Sequence, residues 1–168
     1  MGELLLLDPG EKVLGLTTFD PDSPGLALGT AQGVVKRVNP EYLSHRDDWD
    51  VIGLKEGDTV VGAVELTTGD EELCFITDDA QLLHFGAAGV RPQGRSGGGI
   101  AGVKLSAGAT ATWFGALLPD DAVVVTISGA GSALPGTEPG SVKVTPFSEY
   151  PGKGRATGDV RCHRFLQG

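Results

Sequence analysis

The sequence predicts an all-β fold built from propeller-like blades, and three observations support this prediction. Glycine (27) and proline (10) supply 37 of the 168 residues, a content typical of chains with many turns and few long helices. No stretch keeps apolar residues at a spacing of about 3.6 residues for three turns, whereas short runs rich in β-branched and aromatic residues recur. A short motif also repeats at intervals of 47 to 60 residues, close to the length of a four-stranded blade.

The composition predicts a globular chain rather than a disordered or membrane-spanning one. Hydrophobic residues make up 40% and charged residues 21%, and the net charge is -9. The apolar run at residues 4–7 is far too short to cross a bilayer, so we expect no membrane partner. Cys74 and Cys162 lie 88 residues apart without a close-spaced partner, which favours buried free thiols in a reducing cytoplasm.

The repeated motif consists of a bulky apolar residue, two mostly polar or small residues and a glycine. It occurs at residues 7–10, 54–57, 105–108 and 165–168. The chain therefore divides into three units, at approximately residues 1–57, 58–108 and 109–168. Stacked side by side, three such units predict a partial ring of about three four-stranded blades.

Each unit predicts the same order of elements: a strand after the motif, a hairpin, a loop containing proline or glycine, and a last strand. The strands after the motif are predicted at 58–66 and 109–116. The hairpins are predicted at 26–38, at 73–85, and at 123–127 with 140–145. The third turn is enlarged by residues 128–139, which costs little because loop-closure entropy grows only logarithmically with length.

Three segments resemble one known family: residues 33–38 (GVVKRV), 52–61 (IGLKEGDTVV) and 142–151 (VKVTPFSEYP). They are similar to the C-terminal β-pinwheel domain of bacterial type IIA topoisomerase A subunits, the family of DNA gyrase A and ParC. The resemblance implies a ring of about five or six blades that binds and bends or wraps duplex DNA around a basic outer rim. It further implies a non-catalytic module of an ATP-dependent topoisomerase that controls DNA supercoiling.

The partners implied by this resemblance are double-stranded DNA, the B subunit of the topoisomerase, and the rest of its A subunit. The implied location is the cytoplasm, in association with the nucleoid, and no cofactor is implied. Gyrase-type domains carry a box reading Gln-Arg-Arg-Gly-Gly-Lys-Gly, and the nearest segment here is residues 93–99 (QGRSGGG). This segment lacks two of the three cations of the box. The sequence therefore does not distinguish a gyrase-type domain from a topoisomerase IV-type domain, or a domain that wraps DNA from one that bends it.

The charges are segregated along the chain. Residues 58–79 hold seven acids and no Lys or Arg, residues 80–119 hold three cations and no acid, and residues 139–168 hold five cations against two acids. Repeats in register would align the basic loops along one edge, where glycines also let backbone N–H groups approach phosphates. The candidate DNA-binding residues are Lys36, Arg37, Arg91, Gln93, Arg95, Lys104, Lys143, Lys153, Arg155, Arg161 and Arg164.

We expect these residues to contact the DNA backbone without sequence preference. Neutralising about six phosphates would give a salt slope near -5, and bending the duplex costs about 1–6 kcal/mol, so we expect weak binding. We also expect the three-unit arc to self-associate, because terminal repeats without polar caps expose apolar surface.

Other interpretations of the sequence give different functions. The acidic segment 58–79 could make the chain a scaffold that binds a basic protein, and carboxylates such as Asp47 and Asp50 could serve a propeller hydrolase. Residues 97–102 fit Gly-x-Gly-x-x-Gly, but a dinucleotide site needs a helix to follow. Cys162 and His163 lack a second ligand pair for zinc. We expect the large aromatic residues to form blade core, namely Trp49, Trp113, Phe75 and Phe85.

Overall fold

The computed structural model describes residues 7–41, 43, 45–128 and 141–163, and over these residues the chain is all-β. The only helices there are three short 3₁₀ turns, at Ala87–Gly89, Pro119–Asp121 and Phe147–Glu149. None of the described helices has the length and apolar character needed to cross a membrane. The strands are β1 (Leu26–Thr30), β2 (Val34–Val38), β3 (Val60–Glu65), β4 (Glu72–Thr77), β5 (Gln81–Gly86), β6 (Ile100–Ala101), β7 (Ala111–Leu117), β8 (Val123–Ser128), β9 (Ser141–Pro146) and β10 (Val160–Arg161).

The strands form three antiparallel sheets. The first sheet has the order β3-β1-β2-β6, the second has the order β10-β5-β4-β7, and the third is the hairpin β8-β9. All three predicted hairpins and both predicted post-motif strands are present, so the all-β, propeller-like class is confirmed. The described part of the chain contains two four-stranded blades and one two-stranded hairpin, and the inserted turn at 129–139 and the last motif at 165–168 lie outside the described residues.

Each four-stranded sheet combines two consecutive units of the sequence repeat. The hairpin β1-β2 comes from the first unit, whereas its flanking strands β3 and β6 come from the second. In the same way β4-β5 comes from the second unit, and β7 and β10 come from the third. Every unit after the first therefore contributes its first and last strands to the sheet that contains the hairpin of the preceding unit. This exchange ties neighbouring units together by backbone hydrogen bonds as well as by packing.

The two four-stranded sheets approach each other closely along β3 and β7, which we call the inner strands. A Cβ atom added to Gly62 in β3 would lie 2.2 Å from the backbone oxygen of Phe114 in β7, and one added to Gly29 would lie 2.4 Å from the Phe114 ring. Glycine is therefore required at both positions for Phe114 to pack there. The strands β6 and β10 form the opposite edges of the two sheets, and we call them the outer strands.

Two apolar cores lie between successive sheets. The first core joins the first and second sheets and includes Phe75, Phe85 and Phe114. The second core joins the second sheet to the β8-β9 hairpin and includes both cysteines, Cys74 and Cys162, which are buried and free as predicted. Burial of Phe75 and Phe85 confirms their prediction as core residues.

The prediction for Trp113 is wrong, because its side chain is 43% exposed. Side chains alternate between the two faces of a strand, so Trp113 points to the face of β7 opposite to the buried Phe114. Trp49 is half-buried, with its ring 6.0 Å from that of Phe19.

Candidate nucleic-acid interface

Two loops that carry predicted DNA-binding residues occupy equivalent places in the repeat. We call them the 91–99 loop and the 151–159 loop, and each runs from a 3₁₀ turn to an outer strand. The backbone N–H of Gln93 donates to the carbonyl of Arg37 at 2.9 Å, and that of Lys153 donates to the carbonyl of His84 at 3.2 Å. Since Arg37 and His84 have equivalent positions in the second strands of their hairpins, Gln93 and Lys153 have the same repeat position.

The 151–159 loop lies against the chain just after β6. The N–H of Ala156 donates to the carbonyl of Gly102 at 2.7 Å, and the N–H of Lys104 donates to the carbonyl of Thr157 at 3.2 Å. The guanidinium of Arg155 also donates to the carbonyl of Ala101. These bonds bring Lys104, from the second unit, beside the loop of the third unit.

Four exposed cations consequently lie on or beside the outer strands. We call them the outer-edge cluster, and its members are Lys104, Lys153, Arg155 and Arg161. The ammonium group of Lys153 donates to the carbonyls of Gly158 and Asp159, at 3.1 and 3.4 Å, which keeps it close to its own loop. Gly154 and Gly158 have open space where a Cβ would stand or only distant neighbours, so the backbone of this loop is accessible.

Two carboxylates, those of Asp159 and Asp79, lie near this cluster. Burial raises the pKa of Asp159, the nearby charge of Asp79 raises it further, and the charge of Lys153 opposes this. The buried Oδ2 atom of Asp159 accepts no hydrogen bond from the described residues. The negative charges of these two carboxylates oppose the binding of an anion at this edge.

The 91–99 loop offers less free positive charge. Arg91 is exposed, whereas the Nε atom of Arg95 lies 3.4 Å from a carboxylate oxygen of Glu41. Arg46 and Asp50 lie in the same surface depression as Glu41 and Arg95. Carboxylates therefore offset the positive charge at this edge of the first sheet.

The prediction that Lys36 contacts DNA needs correction. Its side chain is only 1% exposed, and its ammonium group donates to four carbonyls at 2.6–2.8 Å, those of Val51, Gly94, Arg95 and Gly97. Burial lowers the pKa of Lys36. Lys36 therefore holds the 91–99 loop against the end of the first unit and is inaccessible to a phosphate.

Arg37 and Gln93 also serve the fold. The half-buried Arg37 donates to the carbonyls of Ala87 and Pro24, at 3.0 and 3.2 Å, and its contact with DNA stays a prediction. The side-chain oxygen of Gln93 accepts a hydrogen bond from the N–H of Gly99 and so closes the 91–99 loop. Sequence reasoning missed the bracing roles of Lys36 and Arg37 because most of their acceptors lie far away in the sequence.

Lys143 has the same hairpin position in β9 that Lys36 has in β2. It is exposed, and its ammonium group donates to the carbonyl of Cys162 at 3.2 Å. We therefore regard it as the counterpart of a bracing residue rather than as a member of the outer-edge cluster. Arg164 lies outside the described residues.

The acidic segment 58–79 is largely occupied by internal hydrogen bonds. Glu71 is 5% exposed and accepts bonds from the N–H groups of Thr67, Thr68 and Gly69. Asp58, Glu65, Glu72, Asp78 and Asp79 likewise accept bonds from, or pair with, neighbouring protein groups. These carboxylates therefore brace turns of the fold, while Asp70 and Asp78 of the same segment are exposed.

Glu71 predicts a pH dependence of stability. Burial pushes its pKa up, but the N–H donors of the 67–69 turn outweigh this, and the pKa is lowered overall. A lowered carboxyl pKa stabilises the fold above the unfolded value of about 4.3, and this contribution is lost as pH falls through the folded pKa. We expect Glu71→Gln to lower the free energy of unfolding by about 1–2 kcal/mol near neutral pH.

Urea unfolding of the wild type and Glu71→Gln at about pH 7 and about pH 3 checks this expectation, because the difference between them should shrink in acid. Glu65 and Asp78, whose pKa values are also lowered by hydrogen bonds from Thr18 and Thr110, remain in both proteins. An equal difference at both pH values would contradict the assigned role of Glu71.

The interpretations based on metal or nucleotide chemistry receive no support from the described part of the chain. It contains no group of three or more His, Cys, Asp or Glu side chains placed to hold a metal ion. Asp47 and Asp50 are exposed. Residues 97–102 continue into β6 and not into a helix, which a dinucleotide fingerprint requires.

Comparison with known proteins agrees with the geometry. Residues 71–114 and 136–158 match the family model described as DNA gyrase C-terminal domain, beta-propeller. The chain belongs to the family of C-terminal domains of type IIA topoisomerase A subunits, as the resemblance implied. The DNA gyrase A subunit of Klebsiella oxytoca is 34% identical over 79% of this chain, and that of Escherichia coli K12 is 32% identical over 94%.

The similarity to gyrase A concerns only part of those proteins, since the chain spans 14% and 17% of their lengths. The fold is that of a crystal structure of the C-terminal domain of DNA topoisomerase IV, with a TM-score of 0.78 at 22% identity. That comparison covers 99% of this chain and 50% of the topoisomerase IV chain. The chain therefore has the fold of half of such a C-terminal domain.

Proposed function

We propose that this chain is a non-catalytic module that binds duplex DNA through the outer-edge cluster. The observation that carries the proposal is the docking of the 151–159 loop on residues 101–104, which gathers Lys104, Lys153 and Arg155 at one edge. Lysine and arginine side chains at such an edge bind phosphates, and backbone N–H groups of a glycine-containing loop add to this. The resemblance to gyrase and topoisomerase IV domains supports the same function.

The net charge of -9 does not oppose this proposal as strongly as its size implies. Asp58, Glu71 and Asp78 of the 58–79 segment are held by internal hydrogen bonds, whereas Asp79 lies close enough to the 151–159 loop to act on Asp159. A DNA phosphate at the outer edge of the second sheet would meet four cations and, within the 151–159 loop, Asp159 with its buried Oδ2 atom. Local charge decides contact with the DNA backbone, because screening limits interactions beyond about 8–10 Å.

Within a larger assembly, we propose that the chain bends or wraps DNA for an ATP-dependent type IIA topoisomerase of the gyrase or topoisomerase IV kind. The catalytic reaction would belong to the rest of the A subunit, together with the B subunit, in the bacterial nucleoid. The contribution of this chain would be to hold a curved segment of duplex, whose deformation costs about 1–6 kcal/mol, by contacts to the backbone.

Binding of the 168-residue chain to two unrelated duplexes of equal length tests the proposal. Fluorescence anisotropy between about 50 and 200 mM salt should give similar affinities for the two sequences and a slope of log K against log salt near -4, from about four phosphate contacts. Affinity that depends on sequence and not on salt, or no binding at the lowest salt, would contradict it.

A further inference from the structure

The β8-β9 hairpin presents an edge with which no described strand pairs. In the first and second sheets, β1 pairs with the inner strand β3 and β4 pairs with the inner strand β7. The corresponding edge of β8 has no such neighbour among the described residues. Five apolar side chains of this hairpin are 54–74% exposed, whereas Val124 is buried; the five are Val123, Val125, Ile127, Val142 and Val144.

Residues 13–19 form no strand in the structure, but they show the reverse arrangement, because they have the position of an inner strand without a hairpin beside it. They follow the first motif as β3 and β7 follow the next two motifs. A Cβ atom added to Gly15 would lie 2.5 Å from the backbone oxygen of Ala63 in β3, as one added to Gly62 would lie against Phe114 in β7. Thr18 donates to the carboxylate of Glu65 through both its N–H and its hydroxyl group.

The segment 13–19 therefore runs along β3 in the way that β3 runs along β7, yet its large apolar side chains are 46–88% exposed. Leu16 has the repeat position of Phe114 but is 88% exposed, whereas Phe114 is 4% exposed. Of the twelve large hydrophobic residues that are exposed in the described part of the chain, nine lie in this segment or on the β8-β9 hairpin. The β8-β9 hairpin thus lacks the inner strand of a blade, and the segment 13–19 lacks the hairpin of a blade.

We propose that two copies of the chain pair reciprocally, with residues 13–18 of each copy added as an antiparallel strand to the free edge of β8 in the other. The added strand would complete the inner side of the third sheet, and strand addition to a free edge supplies backbone hydrogen bonds together with burial of Leu16 in the adjoining groove. A contact between two different surfaces closes at two copies when each copy supplies both surfaces to the other.

A groove beside β8 has the shape that this pairing needs. It has a volume of about 440 Å³ and is lined by Ile76, Trp113 and Thr126, among others. Ile76 and Trp113 have the repeat positions of Gly29 and Gly62, over which Phe114 packs in the first core. Leu16 of the second copy would pack over Ile76 and Trp113 in the same manner. A smaller side chain suits this site, because larger residues replace the two glycines.

The register of the pairing is fixed by the existing sheets, in which Ala27 opposes Val64 and Cys74 opposes Gly115. The same register places Val125 of one copy opposite Thr17 of the other.

Mass measurement by light scattering tests the pairing, which does not depend on the proposed DNA function. The 17.3 kDa chain should elute as a dimer, and Leu16→Glu should make it a monomer with an unchanged far-ultraviolet circular dichroism spectrum. The matched control is Leu118→Glu, since Leu118 is 58% exposed and does not line the groove. This control should remain a dimer. A monomeric wild type, a series of larger open oligomers, or equal dissociation of both variants would overturn the proposal.

A disulfide experiment tests the register itself. The double variant Thr17→Cys with Val125→Cys should form a covalent dimer under mild oxidation, since directly opposed strand residues have the short Cβ separation a disulfide needs. The register control Thr17→Cys with Thr126→Cys places the second thiol on the opposite face and should not cross-link. Cross-linking of both pairs to the same extent, or of neither, would overturn the predicted register.

Discussion

Reversing two charges of the outer-edge cluster should weaken duplex DNA binding on the order of ten- to a hundred-fold at low salt. The double variant Lys153→Glu with Arg155→Glu removes about two phosphate contacts and adds two anions beside the remaining ones, so the salt slope should fall in size by about 2. Both side chains are exposed, and the ammonium group of Lys153, which bonds only to its own loop, can be replaced without opening the core. Anisotropy titrations at several salt concentrations measure both quantities.

A matched variant separates local from overall charge. Lys12→Glu with Lys55→Glu changes the net charge by the same amount at two exposed lysines outside the outer-edge cluster. We expect it to weaken binding by no more than about threefold and to leave the salt slope unchanged, because exposed charges beyond a Debye length are largely screened. Equal losses in the two double variants would mean that net charge, and not the outer edge, governs binding.

Replacing Lys36 should have the largest effect on stability of any single exchange of a lysine in the described chain. Lys36→Met keeps most of the side-chain length but removes the ammonium donor from four carbonyls, of which those of Gly94 and Gly97 keep a backbone N–H donor. Because a lost buried donor costs the desolvation of its acceptors, we expect the free energy of unfolding to fall by about 2–4 kcal/mol. Urea unfolding measures this loss.

The loss should be accompanied by a local change in the 91–99 loop. Amide hydrogen exchange at Gly97 and Gly99, whose N–H groups donate within this loop, should become faster in Lys36→Met than in the wild type. The control is Lys55→Met, an exposed lysine, for which we expect a change within about 0.5 kcal/mol. A stable Lys36→Met with unchanged exchange would show that the four carbonyl contacts do not brace the loop.

Local patterns were sufficient to predict the strands and hairpins of this fold. The alternation of apolar residues and the turn glycines place the first hairpin at 26–38, and the structure has β1 and β2 there. They did not predict the exchange of strands between units. A strand carries no local signal that shows whether it pairs with the hairpin of its own unit or with that of the preceding unit, since the alternation of its apolar residues suits either pairing.

The site was predicted in part, for a related reason. The residue type alone does not show whether a lysine is exposed or buried, and the burial of Lys36 depends on carbonyls that lie up to 61 residues away in the sequence. One signal was present in the sequence. Lys36 lies two residues from Val34 and two from Val38, so its side chain shares a strand face with apolar side chains. The equivalence of the 91–99 and 151–159 loops was visible in the repeat, whereas the pairing of Arg95 with Glu41 was not.

Lysine footprinting of the 168-residue chain, with and without duplex DNA, shows where the nucleic acid lies on the protein. Acetylation read by mass spectrometry should show that DNA protects Lys104 and Lys153, which belong to the outer-edge cluster, and leaves the exposed Lys12 and Lys55 as reactive as before. The buried Lys36 should react poorly in both states. Protection of Lys12 and Lys55 to the same extent as Lys104 and Lys153, or protection of none of them under conditions where DNA is bound, would contradict binding at the outer edge.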